Sequence, residues 1–312
     1  MSTEIIAGWL KDNDGNKFSP KTLVSQVIND DGTQFNPAKY VKKANPVNLL
    51  DNSDFRNPVN QRNVTAKSGT GYWIDRWNKI SENGYFQIPS SNDYILLQGG
   101  PGDAWLQQSI SHGNSFIGKK LTFAVCDDKG NVYCGTNDVT DAGDQEFTRV
   151  DWGVLYLSKV ANDVLSVSIV VHPGYAQKLV WAALYEGEYT AENLPEYHPK
   201  GYAHELLECQ RYYVEIDHYA LGAGYSGSGN DVTIFIQTPI QMRAVPTIIC
   251  NGAIRARYGG AEYYTLDSCY IAAFDKGYST TMRLVGMAIS GIATYQVVAG
   301  YATSKFALSA DL

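Results

Sequence analysis

Charge is scarce in this sequence, and positive charge is in the minority. The 312 residues include 25 lysines and arginines against 32 aspartates and glutamates, which gives a formal net charge of −7 with 18% charged residues. Proteins that bind nucleic acid gain much of their affinity from lysine and arginine contacts to phosphates. The charge balance therefore argues against nucleic acid as a partner. Hydrophobic residues make up 44% of the chain, which is enough for a folded core and excludes disorder as the main state.

The sequence also lacks the short motifs of several enzyme classes. It contains no GxSxG, HExxH or GxxxxGK pattern, and its histidines do not have the spacing of metal ligands. GAGYSG, residues 222–227, fits GxGxxG, but a dinucleotide-binding loop would open a helix, and this segment runs into the strand-like DVTIFI. We therefore predict a flexible loop at residues 222–227. For the chain as a whole we predict no catalytic residue, no metal site and no cofactor. Structural calcium at the acidic turns DNDG and DDKGN stays open, because neither completes a calcium-loop pattern.

The cysteines are few and isolated from one another. There are five, an odd number, and no two form a CxxC pair, so a disulfide framework is not expected. Cys126 and Cys134 flank DDKGN and could bridge across a hairpin, although buried free thiols are the more common state. The opening MSTEIIAGWLKDND has neither a basic leader nor an apolar core, so no secretory signal is expected.

One long uncharged stretch, residues 284–304, has the length of a membrane span. It contains several glycines and central polar residues, and its apolar positions alternate in the part that includes Tyr295, Val297 and Tyr301. A membrane-spanning helix needs about 20 predominantly apolar residues. We therefore predict two strands joined by a turn, and no membrane insertion.

What the sequence has in abundance is tyrosine and glycine, 22 and 29 residues respectively, residue types that favour strands and turns. From about residue 46 to residue 198, apolar residues alternate with a period of two in LTFAVC, VLSVSIVV and KLVWAALY. Leu121, Phe123 and Val125 thereby share one face of a strand. Short strands separated by glycine, asparagine and aspartate predict an antiparallel, jelly-roll-like β-sandwich, and no βαβ rhythm is present.

Two segments carry helical signals. SPKTLVSQVI, residues 19–28, has Ser19 as a helix N-cap and Pro20 as the first helical residue, but it is shorter than the roughly 12 residues that a lone helix needs, so it must dock on a partner or on copies of itself. YAHELLECQRYY, which follows Pro199, predicts a second short helix. Ala203, Leu206, Leu207 and Gln210 fall on one side of this helix.

These signals predict a mostly β protein in three parts. Residues 1–45 form a small N-terminal segment, and residues 46–200 form the first β-sandwich. Residues 201–312 contain a short helical connector and a second antiparallel β-sandwich, made from strand-like segments such as DVTIFIQT, VPTIIC and STTMRLVGMAI.

The candidate binding residues lie in the C-terminal part, in segments that we predict to be loops of the second sandwich. A sugar ring offers an apolar face on which tyrosine stacks and a rim of hydroxyl groups that arginine or asparagine can bind. The alternative is that about half of these tyrosines only fill strand positions. The glycan-binding candidates are Tyr225, Arg255, Arg257, Tyr258, Tyr263 and Tyr264.

A pair of catalytic carboxylates remains an open alternative, because such pairs are defined by their separation in space. Asp51, Asp54, Asp75 and Asp151 lie near aromatic residues in the sequence. Asp75 is followed by Arg76 within WIDRW, a combination that is more typical of a hydrogen-bonded packing pair than of an acid catalyst.

Several strings, taken in their order, resemble a known family. They are NLLDNSDFRNPVNQR, GYWIDRW, WAALYEGEYT, YAHELLECQRYY and MRAVPTI, and the opening NKFSPKTLVSQVINDDGTQF is similar to attachment segments of tail proteins. The combination resembles tail-fibre or receptor-binding proteins of bacteriophages and prophages, in which a virion-attachment segment precedes a carbohydrate-binding-module-like sandwich, a CQRYY-type connector and a terminal β domain.

The resemblance implies a component of the virion tail, assembled in the host cytoplasm and built as a homotrimer. Residues 1–45 would bind a baseplate or tail protein, and residues 201–312 would bind carbohydrate on the bacterial surface without acting as an enzyme. The family shares no receptor-site motif, so no binding residue is transferred. No heptad shaft or collagen-like repeat is present, so the fibre would be short. The alternatives are a polysaccharide depolymerase and a structural baseplate or neck decoration without a ligand.

Overall fold

The computed structural model describes residues 46–258, 262–272, 280–289, 292 and 295–311, together with three short strands near the N-terminus. The chain forms two compact units, Met1–Pro46 and Val47–Leu312. In the first unit, β1 (Glu4–Ile6), β2 (Trp9–Lys11) and β3 (Lys17–Phe18) form an antiparallel sheet in that order. The helix predicted over residues 19–28 lies outside the described residues.

The larger unit begins with two six-stranded antiparallel sheets that share one hydrophobic core, here called the sandwich. One sheet has the strand order β11-β10-β15-β8-β7-β4, and the other has the order β12-β13-β14-β9-β6-β5. Their strands are β4 (Ala66–Lys67), β5 (Gly71–Tyr72), β6 (Asn78–Lys79), β7 (Tyr85–Gln87), β8 (Ile95–Gln98), β9 (Ala104–Ser111), β10 (Lys120–Asp127), β11 (Val132–Asp138), β12 (Gln145–Val150), β13 (Gly153–Ala161), β14 (Val164–Val171) and β15 (Ala176–Glu186).

The apolar residues that alternate in the sequence form part of the core of the sandwich. Leu121, Phe123 and Val125 of β10 are fully buried, as their period of two predicts, and they belong to the same core as Trp73 and Trp77. The strand-rich character predicted for this region is confirmed. The predicted domain division at residue 200 remains a prediction.

A single α-helix occurs among the described residues, α1 (Tyr202–Gln210), in the segment where the sequence predicts one, besides a short 3-10 helix at Gly113–Phe116. The side of α1 that carries Leu207 is not its buried side. Glu205 and Cys209 are its buried residues, whereas Leu207 is 45% exposed. A polar contact lies on the buried side: the backbone N–H of Asn52 donates to Glu205 Oε2 at 2.6 Å.

After α1 the chain forms a three-stranded sheet and a closed barrel. The sheet has the order β16-β24-β19, and the barrel has the order β17-β18-β22-β21-β20-β23, with β23 pairing back to β17. The strands are β16 (Tyr213–Ile216), β17 (Gly222–Ser226), β18 (Asp231–Gln237), β19 (Thr247–Cys250), β20 (Ile254–Tyr258), β21 (Glu262–Ala272), β22 (Thr281–Ala288), β23 (Val297–Ala302) and β24 (Phe306–Ser309). The second sandwich predicted for this region is therefore wrong, because the pairing of β23 with β17 closes the sheet on itself.

The prediction of a flexible loop at GAGYSG is also wrong, since residues 222–226 form β17. The glycines serve close approach of the strands instead. A Cβ atom added to Gly224 would lie 1.8 Å from the carbonyl oxygen of Thr233 on the neighbouring strand, so no larger residue fits there without movement of the backbone.

The uncharged stretch 284–304 forms most of β22 and the whole of β23, as predicted. Within the described part of the chain, no helix is long and apolar enough to cross a membrane. Cys126 and Cys134 are both free, and the hairpin register sets Cys134 opposite Ala124 and Cys126 opposite Val132. The two thiols are therefore not direct cross-strand neighbours.

Candidate functional site

The barrel has one attached end and one free end. The chain enters β17 from β16, enters β20 from β19 and leaves β23 toward β24, so the three-stranded sheet joins the barrel at the end where those connections lie. The sandwich makes its contacts on the same side: Gln61 Nε2 donates to the carbonyl of Tyr213 at 2.9 Å, and Arg62 pairs with Asp311. We call the opposite end of the barrel the free end.

The free end is formed by strand ends that lie away from the three-stranded sheet. Two backbone hydrogen bonds join its parts: the Tyr295 N–H, just before β23, donates to the Ser226 carbonyl at 2.8 Å, and the Ala288 N–H, at the end of β22, donates to the Asn230 carbonyl at 2.9 Å. The end of β20 and the start of β21 also lie there, where Tyr258 pairs with Glu262. Loops held on a rigid scaffold are common positions for binding sites.

Arginine and tyrosine alternate along the outer wall that leads to the free end. Ile254 and Ala256 point into the barrel, which places Arg255 and Arg257 on the outside of β20. Arg257 lies opposite Tyr263 in the register, with its guanidinium carbon 5.5 Å from the centre of that ring. Arg255 Nε is buried and has no hydrogen-bond partner among the described residues.

Two tyrosines complete this part of the wall. Tyr263 is 52% exposed, and its ring lies 5.1 Å from that of Tyr301 at an interplanar angle of 72°. Tyr301 is in turn the cross-strand neighbour of Arg255. We call Arg255, Arg257, Tyr263 and Tyr301 the outer-wall cluster. It offers aromatic surface beside two guanidinium groups.

A second exposed group lies beside this cluster across β23. Tyr225 is 45% exposed, and it is the cross-strand neighbour of Val297, which is 78% exposed. Tyr295, in the connection before β23, is 81% exposed. We call Tyr225, Tyr295 and Val297 the tip group. Exposed aromatic and aliphatic surface of this kind marks a candidate contact site.

The structure separates the six residues chosen from the sequence. All of them lie in strands, so their predicted placement in loops is wrong. Tyr225, Arg257 and Tyr263 lie on the outer surface toward the free end, whereas Arg255 lies on the outer surface near the start of β20, toward the attached end. Tyr258 and Tyr264 are partly buried and pack against the barrel core. The alternative reading, that some tyrosines fill strand positions, therefore describes these two.

Sequence reasoning missed Tyr295, Val297 and Tyr301 as members of the site. Their alternation was used to predict a strand, which is correct for β23. The same alternation also placed Val297 and Tyr301 on one side of that strand, and this was the available signal. It could not tell which side faces outward, because glycine, alanine and valine occupy the other positions.

The carboxylates considered for catalysis are engaged elsewhere. Asp51 pairs with Arg76 at 3.1 Å and with Lys200 at 3.2 Å, and Asp54 pairs with Arg56 at 2.7 Å. These pairs lie in the sandwich and at its contact with the C-terminal part, which favours a structural role for both carboxylates.

Asp75 accepts hydrogen bonds from Arg62 Nη1 at 2.9 Å and from Gln61 at 3.0 Å. Burial raises the pKa of this carboxyl to about 6, although Arg62 and Gln61 act in the opposite direction. Asp75 and Arg76 are both buried, as expected of a packing pair, but each is paired with another residue and not with its neighbour. Asp151 is exposed in a turn.

Several of the strings that carry the family resemblance contact one another where the sandwich meets the segment after α1. Asn52 donates through Nδ2 to the carbonyls of Val59 and Asp75 at 2.9 and 2.7 Å, and its Oδ1 accepts from Val59 N–H at 2.7 Å. The guanidinium of Arg76 lies 3.4 Å above the ring of Tyr212, in the CQRYY string. Asn52 therefore holds Val59 and Asp75 together within the first part of the chain, and Arg76 joins this part to the segment that follows α1.

The acidic turn DDKGN is satisfied by its own residues. Asp127 accepts hydrogen bonds from the backbone N–H groups of Lys129 and Asn131, from the Asn131 amide and from the Tyr133 hydroxyl, all within 3.2 Å. Among the residues that the structure describes, no group of three or more histidine, cysteine, aspartate or glutamate side chains is placed to hold a metal ion.

Comparisons with known proteins identify no family for the chain. No family model matches it, and no curated protein gives a significant match. Among solved structures, a tryptophan-to-tyrosine variant of oxalate decarboxylase from Bacillus subtilis aligns with 91% of this chain and 87% of that chain, at 11% identity and a TM-score of 0.11. A TM-score this low carries no argument about fold or function.

Proposed function

We propose that this protein is a receptor-binding component of a bacteriophage tail that attaches to carbohydrate on the bacterial surface. The observation that carries the proposal is the outer wall of the barrel toward its free end, where exposed tyrosines lie beside Arg257, with Arg255 further along the same strand. The order of the family-like strings along the chain supports the same proposal.

In this proposal each part of the chain has a separate role. Residues 1–45 attach to a baseplate or tail protein in the virion, and residues 46–200 form a jelly-roll-like sandwich that resembles carbohydrate-binding modules. The segment around α1 is the connector. Residues 201–312 form the receptor-binding domain, with the barrel in the role that the sequence suggested for a second sandwich. The hydrogen bond from the Asn52 backbone to Glu205 and the contact between Arg76 and Tyr212 would hold these two domains in a fixed orientation.

The chemistry of the free end suits a glycan. Tyr225 and Tyr263 offer ring faces to the C–H surface of a sugar, and Arg255 and Arg257 can donate hydrogen bonds to hydroxyl or carboxylate oxygens. Binding of this kind needs no catalytic group. The ion pairing of Asp51, Asp54 and Asp75 supports adhesion in preference to hydrolysis.

A homotrimer would suit weak sugar contacts. Three sites on one particle act through effective concentration, so millimolar affinity at each site can still give firm attachment. The mass of the full chain in solution tests this part of the proposal. We expect three times 34.4 kDa or a multiple of that, and a strict monomer would contradict it.

The proposal is tested by measuring the full chain against an array of bacterial capsular and cell-wall polysaccharides. For a polysaccharide that binds, replacement of both Tyr225 and Tyr263 by alanine removes two stacking contacts worth roughly 1 kcal/mol each, so per-site affinity is expected to fall about thirtyfold. Tyr270→Ala is the matched control, because Tyr270 is 57% exposed on β21 but lies toward the attached end.

Two results would contradict the proposal. Equal losses in the double variant and in Tyr270→Ala would remove the free end from the binding site. Release of oligosaccharide from a bound polysaccharide, abolished by Asp→Asn changes, would favour the depolymerase alternative instead.

A further inference from the structure

A cleft lies on the sandwich beside the first turn of α1, and the residues that form it are distant in sequence from the barrel. It has a volume of about 320 Å³ and is formed by the loop at residues 57–65, the segment at residues 88–92 and Tyr202. None of the described residues that line it carries a charge. The volume is at the lower end of the roughly 300–1,000 Å³ typical of small-molecule sites.

Asparagine amides dominate this cleft, and most of them are free. The side chains of Asn57, Asn63 and Asn92 are exposed, and no described residue hydrogen-bonds to their amides. Asn60 differs, since its amide donates to the Val64 carbonyl and accepts from the Val64 N–H, both at 3.2 Å. Asn60 therefore fixes the loop, while the other three amides are available to a ligand as donors and acceptors.

Apolar surface lies beside these amides. Tyr202, the first residue of α1, is 48% exposed, and Ile88 lines the cleft as a half-buried residue. A ligand that satisfies the amides can therefore also cover an aromatic ring. An uncharged lining with several amides and one tyrosine matches a neutral ligand that is rich in hydroxyl groups and has an apolar face.

A small annex of about 50 Å³ adjoins the cleft, and Asn57 and Tyr202 line both. Glu205 also lines the annex. This residue is 5% exposed, and its Oε1 has no hydrogen-bond partner within the described residues, although Oε2 accepts from Asn52 N–H and the Ser53 backbone amide lies close to the carboxyl. A buried acceptor without a donor is costly, so a donor supplied by a ligand would stabilise it.

We propose that the cleft and its annex bind one neutral hexose or N-acetylhexosamine unit, with the ring against Tyr202, hydroxyl groups on Asn57, Asn63 and Asn92, and the hydroxymethyl group donating to Glu205 Oε1 in the annex. The volume of the annex fits this assignment, because about 50 Å³ holds little more than the roughly 30 Å³ that one water occupies in the liquid. The site does not depend on the proposal for the barrel, because the two involve separate residues.

The test is a saturation-transfer NMR titration of the full chain with glucose, galactose and N-acetylglucosamine, up to about 50 mM, well above the millimolar affinity expected of one such site. At least one of these sugars is expected to bind. Xylose is the comparison for the annex, because it lacks the hydroxymethyl group, and it should bind about tenfold more weakly than the matching hexose. Glucuronate, in which a carboxylate replaces the hydroxymethyl group, should also bind more weakly, because its charge would face that of Glu205.

The variant that tests the amides is Asn63→Gly with Asn92→Gly. Both residues have left-handed backbone angles, φ 55° and φ 54°, which glycine adopts without strain. The double change therefore removes two amides while keeping the loop conformations, and it should weaken binding about tenfold or more. Asn162→Gly is the matched control, with φ 52° in a loop outside the cleft, and it should leave binding unchanged.

The results separate this site from the barrel. Replacing Tyr225 and Tyr263 by alanine should leave monosaccharide binding at the cleft unchanged, whatever that double variant does to polysaccharide binding. Absence of binding by all three sugars, equal affinity of xylose and glucose, or a double glycine variant that binds like the natural chain would each overturn the inference.

Discussion

Replacing Asp75 with asparagine perturbs a buried carboxylate at the junction between the sandwich and the C-terminal part. Asp75 is 1% exposed, and burial raises the pKa of its carboxyl from 3.8 to about 6 despite the hydrogen bonds from Arg62 and Gln61. The Asp311 carboxylate, which shares Arg62, acts in the same direction as burial. At about 1.4 kcal/mol for each tenfold change in proton affinity, the difference corresponds to about 3 kcal/mol.

The sign of the effect follows from proton linkage. Because the pKa is higher in the folded state, the folded protein binds this proton more tightly than the unfolded chain does. The contribution to stability is therefore fully present below pH 3.8 and is lost as the pH rises through about 6. An asparagine at this position cannot titrate. Relative to Asp75→Asn, the natural chain should lose about 3 kcal/mol of stability between about pH 4 and pH 7.

The measurement is denaturant unfolding of both proteins at several pH values across this range, with the difference in free energy of unfolding plotted against pH. Carboxyl groups that do not interact with Asp75 contribute equally to both proteins and cancel in the difference, whereas the Asp311 carboxylate, which shares Arg62, contributes to the difference together with Asp75. A difference in free energy of unfolding that stays constant from about pH 4 to pH 7 would refute the reasoning, since it would mean that the buried carboxyl titrates as it does in the unfolded chain.

Three further predictions concern stability and are checked by thermal or denaturant unfolding. Asn52→Ala should destabilise by about 3 kcal/mol or more, because it removes three buried side-chain hydrogen bonds at a residue with φ 51°, and a loss below about 1 kcal/mol would contradict its central role. Gly224→Ala should destabilise the barrel, because its Cβ would meet the Thr233 carbonyl at 1.8 Å, and unchanged stability would refute the close approach. Tyr258→Ala should lower the free energy of unfolding by about 1–3 kcal/mol, because Tyr258 packs on the core, and Tyr263→Ala should lower it by less than about 0.5 kcal/mol, because Tyr263 is 52% exposed. A larger loss for Tyr263→Ala than for Tyr258→Ala would contradict this assignment of the two rings.

The strands could be predicted from the sequence because alternation is a local property. Leu121, Phe123 and Val125 are two residues apart, and one buried face is enough to produce that pattern. Closure of the barrel could not be predicted in the same way. The pairing of Tyr225 with Val297 joins residues that are far apart in the chain, and a period of two does not state which strands become neighbours.

The sequence indicated which residue types to consider for the candidate site, but not which of those residues face outward. Arg257 and Tyr258 are adjacent in sequence, yet strand geometry sends one outward and the other toward the core, and Tyr263 and Tyr264 divide in the same way. Assigning these residues to loops hid this division, because loops have no fixed alternation. The buried side of α1 could not be predicted for a related reason, since it carries Glu205, which accepts a hydrogen bond from the backbone of Asn52, a residue far away in the sequence.

Hydrogen exchange of the full chain, with and without a saturating polysaccharide ligand, locates the surface used for adhesion. If the free end of the barrel grips the glycan, exchange should slow at the backbone amides of residues 225–231, 257–258, 262–263 and 295–301, with little change in the three-stranded sheet at the attached end. Slowing confined to the sandwich, with the free end unchanged, would contradict the proposed role of the barrel.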